Sequence, residues 1–168
     1  MLPDLPLPAP LDLPGASVTL RRAVPGDLDA LVGLLSDDPI SASRGDVASD
    51  ADLPAYSRAL ASVLAADGND LLVAEDDAVV GTMQLTRIPG MARIGASRLL
   101  VEAVRVRSDR RSSGIGGTMM RWVQRDATSA LGTGLVQLTS DAARVDAHRF
   151  YRRLGFVGSH VGFKYRTD

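Results

Sequence analysis

The run "RLLVEAVRVRSDRRSSGIGGTMMRWVQRDA" (Arg98 to Ala127) decides how the rest of the chain is read. Its first ten residues mix apolar and charged side chains as a strand does. Ile115, Met119, Trp122, Val123 and Ala127 then recur at the spacing of an apolar helical stripe. Between them stand Ser112, Ser113, Gly114, Gly116 and Gly117, with Arg110 and Arg111 ahead. A helix N-terminus leaves backbone N–H groups unpaired and carries partial positive charge, so a glycine-rich entry lets an anion come close to those donors. The same glycines would also serve a plain tight connection from strand to helix.

Outward from this junction the elements fall into an order. "ASVTLRRA" (16 to 23) reads as a strand. Leu28, Leu31, Val32 and Leu35 mark a first helix, with Pro25 and Asp27 in its first turn. A long polar connection (36 to 50) leads to a second helix marked by Leu53, Tyr56, Leu60, Val63 and Leu64. "NDLLVAEDDAVVGTMQLTRI" predicts an antiparallel hairpin turning at "EDDA". Beyond the glycine turn and its helix, "GLVQLTS" predicts a buried strand. Ala147, Phe150, Tyr151 and Leu154 predict a fourth helix stopped by Gly155. "FVGSH" and "VGFKYR" are expected to close the chain as strands. The order βααβββαβαββ predicts a mixed α/β (α+β) fold with one mixed sheet flanked by helices.

Composition narrows the function. A chain of 168 residues with 45% apolar and 23% charged residues predicts one globular domain. The net charge of −1 gives no general attraction to polyanions, and 4% aromatic residues offer few rings for stacking bases, so no nucleic-acid partner is expected. The absence of cysteine excludes disulfides, thiolate nucleophiles and cysteine-based zinc sites, and permits a cytoplasmic location. His148 and His160 lack the spacing and companions of metal ligands, so no metal is expected. Residues 1–15 carry five prolines, no basic leader and no unbroken apolar run. They are expected to form an extended arm beside a domain of residues 16–168, with no membrane anchor.

Named phosphate motifs can be tested against the turn. A P-loop fails because no lysine follows these glycines, and a dinucleotide fingerprint fails because Met119 stands where its third glycine belongs. What fits is R-x-x-G-x-G, as Arg111-Ser112-Ser113-Gly114-Ile115-Gly116. With "AHRFYRRLGF" (147 to 156) downstream, the chain resembles the GCN5-related N-acetyltransferase (GNAT) family in two signatures, in order and at family spacing. The resemblance implies a mostly antiparallel twisted sheet and acetyl-CoA as co-substrate, its pyrophosphate wrapped by Arg111, Ser112, Ser113, Gly114, Ile115, Gly116 and Gly117. It implies that the backbone of Val104 supports the oxyanion at a bulge, and that Val106 pairs further along the coenzyme. Many members have glycine where this chain has Ser112, and asparagine where it has Arg144. Dimers are common in the family, which leaves a homodimer open.

Acetyl transfer from a thioester to an amine needs a base, an oxyanion donor and a proton for the departing thiolate. Glu102, a carboxylate in a largely apolar strand, is expected to be costly to bury unless paired or solvated by a cleft. The resemblance makes it the general base acting through water; an ion pair with Arg98 or another neighbouring arginine is the structural alternative. Tyr151 occupies the signature tyrosine, implied to serve as the acid; a place in the core is its alternative. Arg105, Arg107, Arg110 and Arg111 form a basic run that could meet phosphates or be solvated. Asp37, Asp38, Asp46 and Asp50 could draw a cationic amine, or cap turns. Without cysteine, direct attack on acetyl-CoA by a small-molecule or peptide amine is favoured over ping-pong transfer. A non-catalytic acyl-CoA sensor would need the same glycine turn.

Overall fold

The computed structural model describes residues 2–13, 16–43, 45, 47–165 and 167. Six strands lie in sequence order across one sheet: β1 (Ala9–Leu13), β2 (Ala16–Arg22), β3 (Asn69–Glu75), β4 (Val79–Ile88), β5 (Arg98–Val106) and β6 (Val136–Leu138). Every neighbouring pair is antiparallel except β5 with β6, which is parallel. The helices are α1 (Leu28–Ser36), α2 (Pro39–Ala42), α3 (Leu53–Ala65), α4 (Ala92–Gly95), α5 (Ile115–Trp122), α6 (Thr128–Leu131) and α7 (Val145–Arg153). A π-helical turn, Val123–Ala127, carries α5 into α6.

Strand alternation distributes the core over both faces of the sheet. Leu72 and Ala74 of β3 point to one side with Met83 and Leu85, where α5 inserts Ile115, Met119 and Met120. Val73 points to the other and meets Leu31 of α1 and Leu60 of α3. Helices thus cover both faces, and β5 is in contact with both α1 and α5.

Two expectations about the chain's ends are corrected. The proline-rich stretch is no arm outside the domain: Ala9–Leu13 pairs with β2, and Leu2, Leu5 and Leu11 are buried. Proline is tolerated there because β1 is an edge strand, where a missing N–H costs no ladder bond. Apolar residues beside the prolines supply the burial, and the Leu2 N–H donates to Asp70 Oδ2 at 3.1 Å. At the other end, "FVGSH" and the described part of "VGFKYR" join no strand ladder among the described residues: Phe156 packs against the main core, while Val157, Val161, Phe163 and Tyr165 are exposed.

An ion cluster ties β2, β3 and the turn before α1. Arg21 reaches Asp27 at 2.8 Å and Glu75 at 2.7 Å, while the Val24 N–H donates to Asp27 at 2.8 Å. The Arg21 guanidinium beside it holds the Asp27 carboxyl below the usual carboxylate range, overcoming the opposing effect of burial.

Candidate active site

β5 carries a bulge where it matters most. Gln84 faces Glu102 and Thr82 faces Arg105, so Met83 alone opposes both Ala103 and Val104. Ala103 takes up the extra residue at φ 50°, a left-handed conformation that costs a non-glycine residue about 1–2 kcal/mol. The bulge changes which backbone groups face which way. Before it, the Leu99 N–H donates toward β6, to Leu135 O at 2.9 Å; after it, the Arg107 N–H donates toward β4, to Val80 O at 2.9 Å. Alternation along the strand therefore turns the N–H groups of Val104 and Val106 away from β4, toward the β6 side.

That side is open. β6 pairs with β5 only at Leu99, Leu100 and Val101, so from Glu102 to Val106 the strands have parted. A cleft results, lined on one side by backbone donors that no sheet neighbour uses. Val104 and Val106, assigned to the coenzyme by resemblance, stand on it, and their carbonyls accept from Arg105 (2.9 Å) and Arg111 (3.2 Å).

The glycine turn closes the end of this cleft. Gly114 is the N-cap of α5 at φ 94°, and no side chain caps the helix. The first helical bond runs from the Thr118 N–H to Gly114 O at 3.0 Å. The N–H groups of Ile115, Gly116 and Gly117 thus lie in the first turn, ahead of any intrahelical acceptor. Ser112 is at φ 63°, which gives a physical reason for the glycine common at this position in the family. The Ser113 hydroxyl donates to Arg110 O at 2.6 Å and locks the turn. Arg111 braces the turn from outside: its guanidinium donates to Val106 O and, at 3.0 Å, to Asp37 O.

Glu102 and Tyr151 come from opposite walls. Glu102 is exposed on β5 and forms neither the alternative ion pair, with Arg98 or another neighbouring arginine, nor a hydrogen bond to another described residue. Its carboxylate is solvated by the open cleft. Tyr151 sits on α7 with its ring wedged edge-on between Phe150 (5.1 Å) and Phe156 (5.8 Å). Burial pushes its phenol up from the ordinary value, with the Arg105 and Arg144 guanidiniums pulling back less strongly, so the phenol is neutral and keeps a proton to give.

The remaining charged candidates are engaged with one another. Arg144 grips Asp38 with two bonds of 2.6 Å, and Arg105 donates to Ser41 Oγ at 2.7 Å. Asp37 accepts from the Ser108 N–H at 2.6 Å and meets Arg111 at 3.4 Å. Arg107 pairs with Asp109 and Arg110 with Asp76. Asp37 and Asp38 therefore fasten the loop after α1 to the turn that follows β5 and to the start of α7, and do not act as free acids for an amine; Asp50 is exposed, and Asp46 lies outside the described residues. This cross-link was not readable in the sequence, where its partners are 106 residues apart.

The Asp38 pair also sets a pH dependence. Burial pushes the Asp38 carboxyl up, but the Arg144 guanidinium, the Ser41 N–H and the charge of Arg105 outweigh it and hold it at about 2. Because the folded value is depressed, the stabilisation is complete above the ordinary carboxylate range near pH 4 and fades as pH falls toward 2. Asp38→Asn is expected to lose about 2 kcal/mol near neutrality, with the gap to the parent closing between about pH 4 and pH 2 in urea titrations. A gap independent of pH would contradict the assignment.

The sheet thus parts, at its parallel end, beside a glycine-capped helix N-terminus. Comparison gives the family: the model of the acetyltransferase (GNAT) family matches residues 34–156, and the chain belongs to that family. A transcriptional regulator from Bacillus halodurans C-125 superposes with a TM-score of 0.82 at 37% identity, over 89% of this chain and 99% of that one. Glucosamine-6-phosphate N-acetyltransferase from Arabidopsis thaliana shares the fold, with a TM-score of 0.71 at 16% identity over 91% and 100% of the two chains. An aminoalkylphosphonate N-acetyltransferase from Salmonella typhimurium is 40% identical over 53 residues, 32% of this chain and 34% of that protein. That match spans about a third of the relative's length.

Proposed function

We propose that this protein is an acetyl-CoA-dependent N-acetyltransferase in which a primary amine attacks the thioester directly, within a ternary complex. The observation that carries the reading is the coincidence at one cleft of the β5 bulge, the parted strands and the uncapped N-terminus of α5. Acetyl-CoA supplies an activated acyl group, so much of the catalysis lies in holding two substrates together. The first-turn amides from Ile115 to Gly117 receive the diphosphate, and the Val106 N–H pairs along the pantetheine arm. At the carbonyl, the Val104 N–H supports the oxyanion. Glu102 takes the amine's proton through water as the carbon–nitrogen bond forms, and Tyr151 protonates the sulfur as the carbon–sulfur bond breaks.

Calorimetry with acetyl-CoA tests the coenzyme half of this reading. Gly114→Val is expected to weaken binding about tenfold or more, because a β-branched residue resists the left-handed conformation that aims the first-turn amides. No heat with the parent protein would overturn the proposal. Thiol release with a panel of amines tests the other half; the panel includes aminoalkylphosphonates, the substrates named for the Salmonella relative. Tight coenzyme binding without turnover on any amine would favour a sensor.

A further inference from the structure

A polar patch stands on the face of the sheet that packs against α1 and α3. Leu71 and Val73 of β3 pack on that side with Leu31 and Leu60, and Asn69 has their parity. The register carries the face across the sheet: Asn69 lies opposite Thr86, Leu71 opposite Gln84, and Gln84 opposite Glu102. Directly opposed residues share a face, so Asn69, Thr86, Gln84 and Glu102 all stand on this one. The first three are half-buried, and Glu102 is exposed.

Asn69, Thr86 and Gln84 form a fixed network. Gln84 Nε2 donates to Asn69 Oδ1 at 2.9 Å, and the Thr86 hydroxyl donates to the same oxygen at 2.7 Å. Asn69 thus holds the Gln84 amide by its nitrogen end, from the β3 side. The amide oxygen, Gln84 Oε1, accepts from no described residue, and on the β5 side stands Glu102, whose carboxylate also meets no described donor. Cβ atoms of such an opposed pair lie about 4.5–5.5 Å apart. Two acceptors at that spacing suit one water, which donates to both through its two O–H bonds.

We infer that Gln84, held by Asn69 and Thr86, positions the water through which Glu102 removes the amine's proton; the inference rests on the transferase reading given above. The water donates one hydrogen to Glu102 and the other to Gln84 Oε1, which leaves a lone pair for the amine N–H. As the carbon–nitrogen bond forms, an N–H bond of the amine breaks and an O–H bond forms on the water. One of the water's own O–H bonds breaks, and its proton joins a Glu102 oxygen. Water is returned unchanged, and Gln84 exchanges no proton. An amide suits the task, because a second carboxylate there would compete for the proton.

Gln84→Met keeps the side chain's length and removes its oxygen, while Asn69 Oδ1 retains Thr86 as a donor. It is expected to lower kcat/KM for the amine about tenfold at pH values below the amine's pKa, the effect of one lost hydrogen bond. The loss should narrow as pH rises, with calorimetric affinity for acetyl-CoA within about twofold. In the Glu102→Gln background the same substitution is expected to cost less than about twofold, because the oriented water no longer has a base to serve. Asn69→Leu releases the amide and is expected to lose about three- to fivefold. Asn69→Asp should recover most of that loss, since a carboxylate oxygen accepts from Gln84 and Thr86 as the amide oxygen does.

A loss from Gln84→Met that is flat across pH, or equal in the parent and in the Glu102→Gln background, would overturn the inference. If Asn69→Asp loses as much as Asn69→Leu, the amide is held the other way round and the inference is wrong. Turnover that falls with Glu102→Gln and ignores Gln84→Met removes the role of Gln84 and leaves the transferase reading standing. A parent that releases no thiol with any amine removes both.

Discussion

Tyr151→Phe is expected to lower kcat by about a hundredfold or more at saturating acetyl-CoA and amine, the lower bound for losing a general acid. The structure separates this effect from simple damage. The phenol oxygen has no hydrogen-bond partner among the described residues, while the ring is held by Phe150 and Phe156. Phenylalanine keeps the ring and its edge-on contacts, and no buried group loses a partner, so the thermal midpoint is expected to stay within about a degree or two. Coenzyme affinity should also hold, because the residues proposed to receive the diphosphate lie on α5 and its N-terminal turn. A variant with normal kcat and a lowered midpoint would make Tyr151 a core residue and nothing more. The pH profile adds a second test: burial raises the phenol, so the parent should keep its acid well into the alkaline range.

What the sequence disclosed and what it withheld follow from how far each feature depends on distant residues. The junction of β5, glycine turn and α5 was legible because period and glycine content are local properties. β1 was hidden because five prolines in fifteen residues read as an arm, and only the edge of a sheet makes Pro10 acceptable in a strand. No residue type announces the bulge: Ala103 has no preference for φ 50°, and the register of β4 against β5 imposes it. The fate of Asp38 was equally invisible, since its partner Arg144 comes from the far end of the chain. Glu102 shows a mixed outcome. Its position in a largely apolar strand marked it as unusual, but its exposure in the fold was not written in that pattern.

That exposure frames the largest remaining prediction. Glu102→Gln is expected to lower kcat/KM for the amine by about a hundredfold at pH values below the amine's own pKa, where almost all acceptor carries a proton to be removed. The loss should shrink as pH rises and the neutral amine becomes abundant without help. A structural explanation has little to work with, because the side chain makes no ion pair or hydrogen bond to another described residue and glutamine keeps its shape. Glu75, the other glutamate of the chain, cannot substitute, since Arg21 holds it at 2.7 Å. The decisive measurement is the ratio of parent to variant kcat/KM across pH, taken beside calorimetric affinity for acetyl-CoA. A ratio that narrows with rising pH while affinity stays within about twofold identifies lost proton removal. If the ratio is flat across pH, the carboxylate acts by charge alone, and the proton transfer through water assigned to it has no role in the reaction.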